Sequence, residues 1–358
     1  MHAGERASGR QLSFLIRALC LMFALGFSRS PAASAGQPPI GIVDFYGLRT
    51  ISVAEARQAL RIKEGDVIPG AEGLERFKQD AEQRLESLPR VGEARLNFVC
   101  CNADKTILYV GIREKGTPAL AYRTSPQGKV RLPEDVRKAG DDFQHAFMEA
   151  VEKRDFQEDD SQGYALDHYP AVHAVQEHFV ILAAKNFSVL RDVLDNSSDP
   201  HERALAAQVI AYGGNRQAAA QDLAEAVHDP DGEVRNNATR ALWLMARYAE
   251  KHPESHITIS AEPFVDMVNS IDWTDRNKSS LVLVPLTESR DPALLRLLGK
   301  DALPSLVEMA RWKAEGHAFG ACVILGRIAN LEEDTLKKQC SSDREAVISA
   351  AVKSSAAH

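Results

Sequence analysis

The sequence predicts a small α+β module of order β-α-α-β-β followed by an all-α solenoid of helical hairpins. Three observations carry that prediction. Apolar residues alternate singly through Ala94, Leu96, Phe98 and Cys100, and again through Leu108, Val110 and Ile112, which is the period of a strand. From Leu74 through Phe77, Ala81, Leu85 and Leu88 they recur in helical steps. Beyond residue 190 an eight-residue pattern returns from Arg235 to Arg276 to His317, an interval of 41 residues.

The chain has 358 residues, 44% hydrophobic and 26% charged, enough apolar surface for two or three folded domains. Its formal charge of −7 argues against a nucleic-acid partner held by bulk attraction to phosphate. The first 35 residues read as an address. Arg10 and Arg17 precede an apolar run from Ala18 to Phe27, and Ala33-Ser34-Ala35 supplies a small-x-small cleavage site. A run of about ten residues is half of the roughly 20 that cross a bilayer. The expectation is a signal peptide over 1–35 and a mature chain exported to a periplasmic or extracellular space.

Residues 36–116 read as the first module. Ile40 to Phe45 is a β-branched run ended by Gly47, and Ser52 with Glu55 has the spacing of a capping box. A short helix to Leu60, a turn at Gly65-Asp66 and a second helix to Leu88 follow, stopped by Pro89. The two alternating runs, joined at Asn102-Ala103-Asp104-Lys105, then form a hairpin with one wet face. With Phe45-Tyr46-Gly47-Leu48-Arg49-Thr50-Ile51-Ser52, Ile62-Lys63-Glu64-Gly65-Asp66 and a last strand ending at Glu114, this segment resembles the polypeptide-transport-associated (POTRA) module. The resemblance implies recruitment of polypeptides, in part at an open sheet edge. The chain departs from that family in having one copy and no following β-barrel.

Residues 117–165 read as a linker with a connecting helix over 134–154, followed by the acidic run Asp155 to Asp160, taken as a solvated turn. Residues 166–358 read as the repeats. Arg235 to Leu242, Arg276 to Leu283 and His317 to Ile324 align with small residues at Ala238, Ser279 and Gly320, and large ones at Leu242, Leu283 and Ile324. An earlier copy begins at Arg203, and helices precede the copies at 218–227, 263–268 and 302–309. Such recurrence marks an α-solenoid. With Asp229-Pro230 ahead of Val234-Arg235 and Ala241-Leu242, it resembles HEAT repeats. Pro285 and the stretch 258–261 mark one distorted copy. That resemblance implies a binding surface for another protein or peptide.

The candidate partner-binding residues lie on the helix from Arg235 to Tyr248. If Ala238, Leu242 and Met245 point inward, Asn236, Arg240, Trp243 and Arg247 share another face, and Arg and Trp dominate interfaces. No metal or cofactor is expected. His168, His173 and His178 recur every five residues and do not share a helix face, while Pro253 separates His252 from His256. Cys100 and Cys101 are adjacent, at a spacing that strains a bond between them, and a Cys322–Cys340 bond stays open. No Walker loop or nucleophile elbow occurs. The expected function is an exported, non-enzymatic scaffold that binds a polypeptide through its repeats and a sheet edge. Two alternatives stand beside it: a HEAT-like lyase or hydrolase, and an accessory factor in envelope or outer-membrane protein assembly.

Overall fold

The computed structural model describes residues 38–356; the expected signal peptide lies outside the described residues. Among these, 14 α-helices accompany one three-stranded sheet and a two-stranded ribbon. The chain divides into two compact units. One holds the described residues up to Leu120, Asp266–Asn277 and the described residues from Arg290 onward; the other holds Ala121–Val265 and Lys278–Ser289. These units cut across the segments read from the sequence.

In the first unit, β1 (Ile40–Tyr46), α1 (Val53–Leu60), α2 (Ala71–Glu86), β2 (Val91–Asn102) and β3 (Lys105–Glu114) follow in order. The strand β3 lies centrally, parallel to β1 and antiparallel to β2. The capping box forms: the Ser52 side chain accepts from the Glu55 amide while the Glu55 carboxylate takes the Ser52 amide. Val43, Leu96, Leu108 and Val110 pack against Ala56, Leu60, Ala81 and Leu85 in one apolar core. Cys100 and Cys101, at the end of β2, are bonded to each other.

The Glu114 carboxylate ties the end of β3 to the loop before α1. It accepts the amides of Arg49 (2.7 Å), Thr50 (2.8 Å) and Ile51 (3.0 Å) and the Thr50 hydroxyl. Burial alone would raise its pKa, but the Thr50 hydroxyl and the three amides outweigh burial and hold it at about 2. Its folded pKa lies below the unfolded value. The stabilisation is therefore present above about pH 5 and lost as pH falls toward 2. Glu114→Gln is expected to cost about 1–3 kcal/mol at neutral pH and to flatten that part of the pH–stability curve. Urea midpoints of both proteins at pH 7 and pH 3 check this; equal pH slopes would refute it.

The face of the sheet expected to be wet is covered. Ile107 and Tyr109 project there and are buried. Tyr109 meets the rings of Trp273 (5.1 Å between centroids), Trp312 (4.9 Å) and His317 (5.7 Å). Its hydroxyl is 2.7 Å from His317 Nδ1. Gly111 permits this approach, because a Cβ there would lie 2.0 Å from the Ile271 carbonyl. The Tyr46 hydroxyl donates to that same carbonyl at 2.6 Å. The covering residues belong to α9 (Trp273–Leu286) and to the segment around α11 (Leu303–Ala310) and α12 (Glu315–Ile328). Before α11 comes α10 (Pro292–Asp301); after α12 come α13 (Glu333–Ser342) and α14 (Arg344–Ser355). A disulfide joins Cys322 of α12 to Cys340 of α13, the pairing the sequence left open.

The second unit contains α3 (Glu134–Glu152), β4 (Glu158–Asp159), β5 (Leu166–Asp167), α4 (Pro170–Asn196), α5 (Pro200–Ile210), α6 (Arg216–Ala226) and α7 (Gly232–Lys251); α8 (Glu262–Met267) follows. Helix α3 packs on α4, α4 on α5, and both α5 and α6 on α7. The segment 121–133 is bound rather than a loose linker. The Arg123 guanidinium bonds Asp229 and the Leu194 carbonyl, and the Leu132 amide bonds Glu202.

The repeat register has a hydrogen-bond signature. Arg203 donates to the Ser197 carbonyl (2.8 Å), Arg235 to that of Asp229 (3.0 Å) and Arg276 to that of Ser270 (2.5 Å). Each reaches six residues back and ties its helix to the preceding junction. In the fourth copy His317 stands at that position. It turns to Tyr109 instead, while Lys313 donates its amide to Asp44 and its ammonium to the Val43 carbonyl.

Candidate functional site

The four residues singled out from the sequence sit on α7 and do not share one environment. Asn236 and Trp243 are buried, at 9% and 4% exposure, so neither is an exposed anchor. Burial follows from the packing of α5 and α6 on α7, which covers more of the helix than one inward stripe. Arg240 and Arg247 remain partly exposed, at 25% and 24% for their side chains. The Arg247 guanidinium lies over the Trp243 ring, 5.3 Å from its centroid.

Both arginines carry ion pairs from the acidic run that the sequence suggested was a solvated turn. Glu158 pairs with Arg240 and Asp160 with Arg247. The run is one arm of a hairpin, β4 and β5, with Glu158 opposite Asp167 and Asp159 opposite Leu166. Its tip continues across the helices. The Tyr164 ring packs against Tyr212 at 4.9 Å between centroids. The Tyr212 hydroxyl, kept protonated because burial pushes its pKa up, donates to the Ala165 carbonyl at 3.0 Å. Gly163 lies against the stem of Tyr248: a Cβ there would be 3.0 Å from its Cγ and 3.1 Å from its Cβ. Arg216 of α6 lies over the Tyr248 ring, 4.5 Å from its centroid and 6.0 Å from that of Tyr164, and His252 stacks on the same Tyr248 ring at 4.3 Å.

The returning arm is anchored differently. The Asp167 amide donates to the Gln176 side chain (2.6 Å), and the Asp167 carbonyl meets His173 Nδ1 (2.8 Å). Both partners lie on α4. The hairpin thus has a base fixed by hydrogen bonds from its backbone to α4 and an arm held by ion pairs. Arg216, Tyr212 and Tyr248, which complete the ridge with Arg240 and Arg247, were missed from the sequence. The Arg216 and Tyr248 positions are on different helices, and only the fold aligns them.

The sheet edges are occupied. The outward amides of Ala94 and Leu96 on β2 donate to Glu86 (3.1 Å) and Glu82 (2.8 Å) of α2. On β1, Ile40 exchanges hydrogen bonds with Asp66 and Gly65, and the Val43 carbonyl accepts from Arg57 and Lys313. Side chains placed this way block strand addition.

Among titratable groups, Glu250 stands out: burial, then the hydrogen bond and charge of Glu288, hold it at about 7. Among the described residues no three His, Cys, Asp or Glu side chains group as metal ligands. Among them also, no helix is long and apolar enough to cross a membrane.

The chain matches no protein-family model and no curated protein. Similar solved structures include the designed armadillo repeat protein YIII(Dq)4CqI, 16% identical, with 51% of this chain and 93% of that chain covered and a TM-score of 0.34. They also include designed armadillo repeat protein YIII(Dq.V1)4CPAF in complex with peptide (KR)4, 16% identical, with 55% and 97% covered and a TM-score of 0.33. A third is a computationally designed armadillo repeat protein for modular peptide recognition, 17% identical, with 62% and 99% covered and a TM-score of 0.37. Likenesses this distant leave the function to be read from the chain's own side chains.

Proposed function

We propose that this protein is a non-enzymatic scaffold that binds an extended polypeptide on the ridge of its repeat helices formed by Arg216, Arg240, Arg247, Tyr212 and Tyr248. The observation that carries the reading is that a peptide segment already lies there, the chain's own residues 158–165, held by ion pairs and ring contacts of the kind that dominate interfaces. The blocked edges of the sheet favour the repeats over strand addition. Export belongs to the same proposal, supported by the signal-like first 35 residues and by the Cys322–Cys340 bond, which persists in oxidising compartments. The POTRA-like reading of residues 36–116 is supported by the β1-β3-β2 strand order with two helices on one face.

Selection of a random peptide display library on the full chain tests the binding reading. Enriched peptides whose capture is lost in Arg240→Ala/Arg247→Ala support it. Enrichment that this variant leaves unchanged, or no enrichment on any form of the protein, overturns it.

A further inference from the structure

We infer that the hairpin Gln157–His168 is a resident pseudo-ligand, and that the ridge beneath it takes an acidic, tyrosine-bearing segment of another polypeptide when the hairpin's acidic arm lifts. This rests on the scaffold reading above and names the partner class. Three features of the hairpin define that class. The arm puts Glu158 on Arg240 and Asp160 on Arg247. The tip seats one aromatic ring, Tyr164, between Tyr212 and Arg216. The backbone between them lies against Tyr248 without a side chain at Gly163 and gives its Ala165 carbonyl to Tyr212. With the arm lifted, three guanidiniums and two tyrosine rings line the vacated track, which suits alternating acid and ring and disfavours a basic ligand.

The construction of the hairpin favours exchange. Its two strands have two residues each, too short to hold themselves in place. Its arm depends on partly exposed ion pairs, which are individually weak, whereas its base is fixed to α4 through Gln176 and His173. The arm can therefore leave while the base stays. Tethered so closely, it competes with any free ligand as if present at millimolar concentration.

A fluorescein-labelled synthetic peptide with the sequence of residues 155–168 is the probe, read by anisotropy against the full chain. The wild type is expected to bind it weakly, and Glu158→Gln/Asp160→Asn to bind it about tenfold tighter or better, because the internal competitor is weakened. Tyr164→Ala, which loosens the tip instead, is expected to act in the same direction. Adding Arg240→Ala/Arg247→Ala should abolish the gain, and a probe with its three arm acids replaced by lysine should not bind. Circular dichroism melts confirm that each variant is folded. If neither hairpin variant binds the acidic probe more tightly than wild type, the pseudo-ligand inference falls. A library that yields basic or apolar peptides dependent on Arg240 and Arg247 would sink it while leaving the scaffold reading intact. Probe binding by the opened variants, with nothing enriched by the wild type, would support it.

Discussion

Asp229→Ala is expected to cost about 3–5 kcal/mol, the size typical of a buried charge left without its partner. Asp229 is wholly buried and accepts from Arg203 through both Nε and Nη2 at 2.8 Å, from Arg123, and from the Asp231 amide. Burial pushes its pKa up, but the Arg203 hydrogen bonds, the Asp231 amide and Arg123 outweigh that, and the net shift is downward. The stabilisation is therefore held above the ordinary carboxylate range and lost as pH drops below it. Removing the carboxylate strands Arg203, itself 2% exposed. It also takes one of the bonds by which Arg123 ties the segment before α3 to the helices, leaving those to the Leu194 carbonyl and Asp195. Asp229→Asn is expected to fall between wild type and alanine. Urea unfolding followed by Trp243 fluorescence in a Trp273→Phe/Trp312→Phe background reads this unit alone. A cost under about 1 kcal/mol, the value typical of exposed pairs, would show that the network is not buried in solution.

Trp273→Ala is expected to cost a similar amount, about 3–5 kcal/mol, for a different reason. Its ring is fully buried, stacked on Tyr109 and edge-on to His317 at 4.9 Å. Truncation opens a void where the sheet meets the later helices, and rigid neighbours such as Trp312 cannot close it. Trp273→Phe should recover much of the loss. The readout is a shift of the urea midpoint for Trp312 fluorescence with Trp243 replaced by Phe. No shift would mean that the aromatic face of the sheet is open to solvent.

What the sequence made legible was local. Ser52 and Glu55 form a capping box, and the residues from Ala94 to Ile112 alternate, because both signals depend on neighbours a few positions away. The repeat interval was legible for a similar reason: Arg203, Arg235 and Arg276 each answer to a carbonyl six residues back. Contacts between distant segments were not. The sheet face taken to be wet carried its own warning in Tyr46 of β1 and Ile107 and Tyr109 of β3, three large side chains on the supposedly solvated side. The other warning was His317 standing where the register calls for a junction arginine. At the ridge, the sequence places Arg240 and Arg247 seven residues apart on one helix, α7. The acidic run that meets them was read in isolation, since nothing in Glu158 or Asp160 says which surface they return to.

The burial of Tyr109 beneath Trp273 and Trp312 also sets a timetable. A ribosome adding roughly 5–20 residues per second takes on the order of 10–40 s to travel from the end of the third strand to Trp312. Throughout that interval the strands can pair and close over α1 and α2, yet their second face has nothing to rest on. A nascent chain in that state presents Tyr46, Ile107 and Tyr109 to whatever is nearby, and so does any chain cut short before Trp312. Such intermediates call for a holding chaperone.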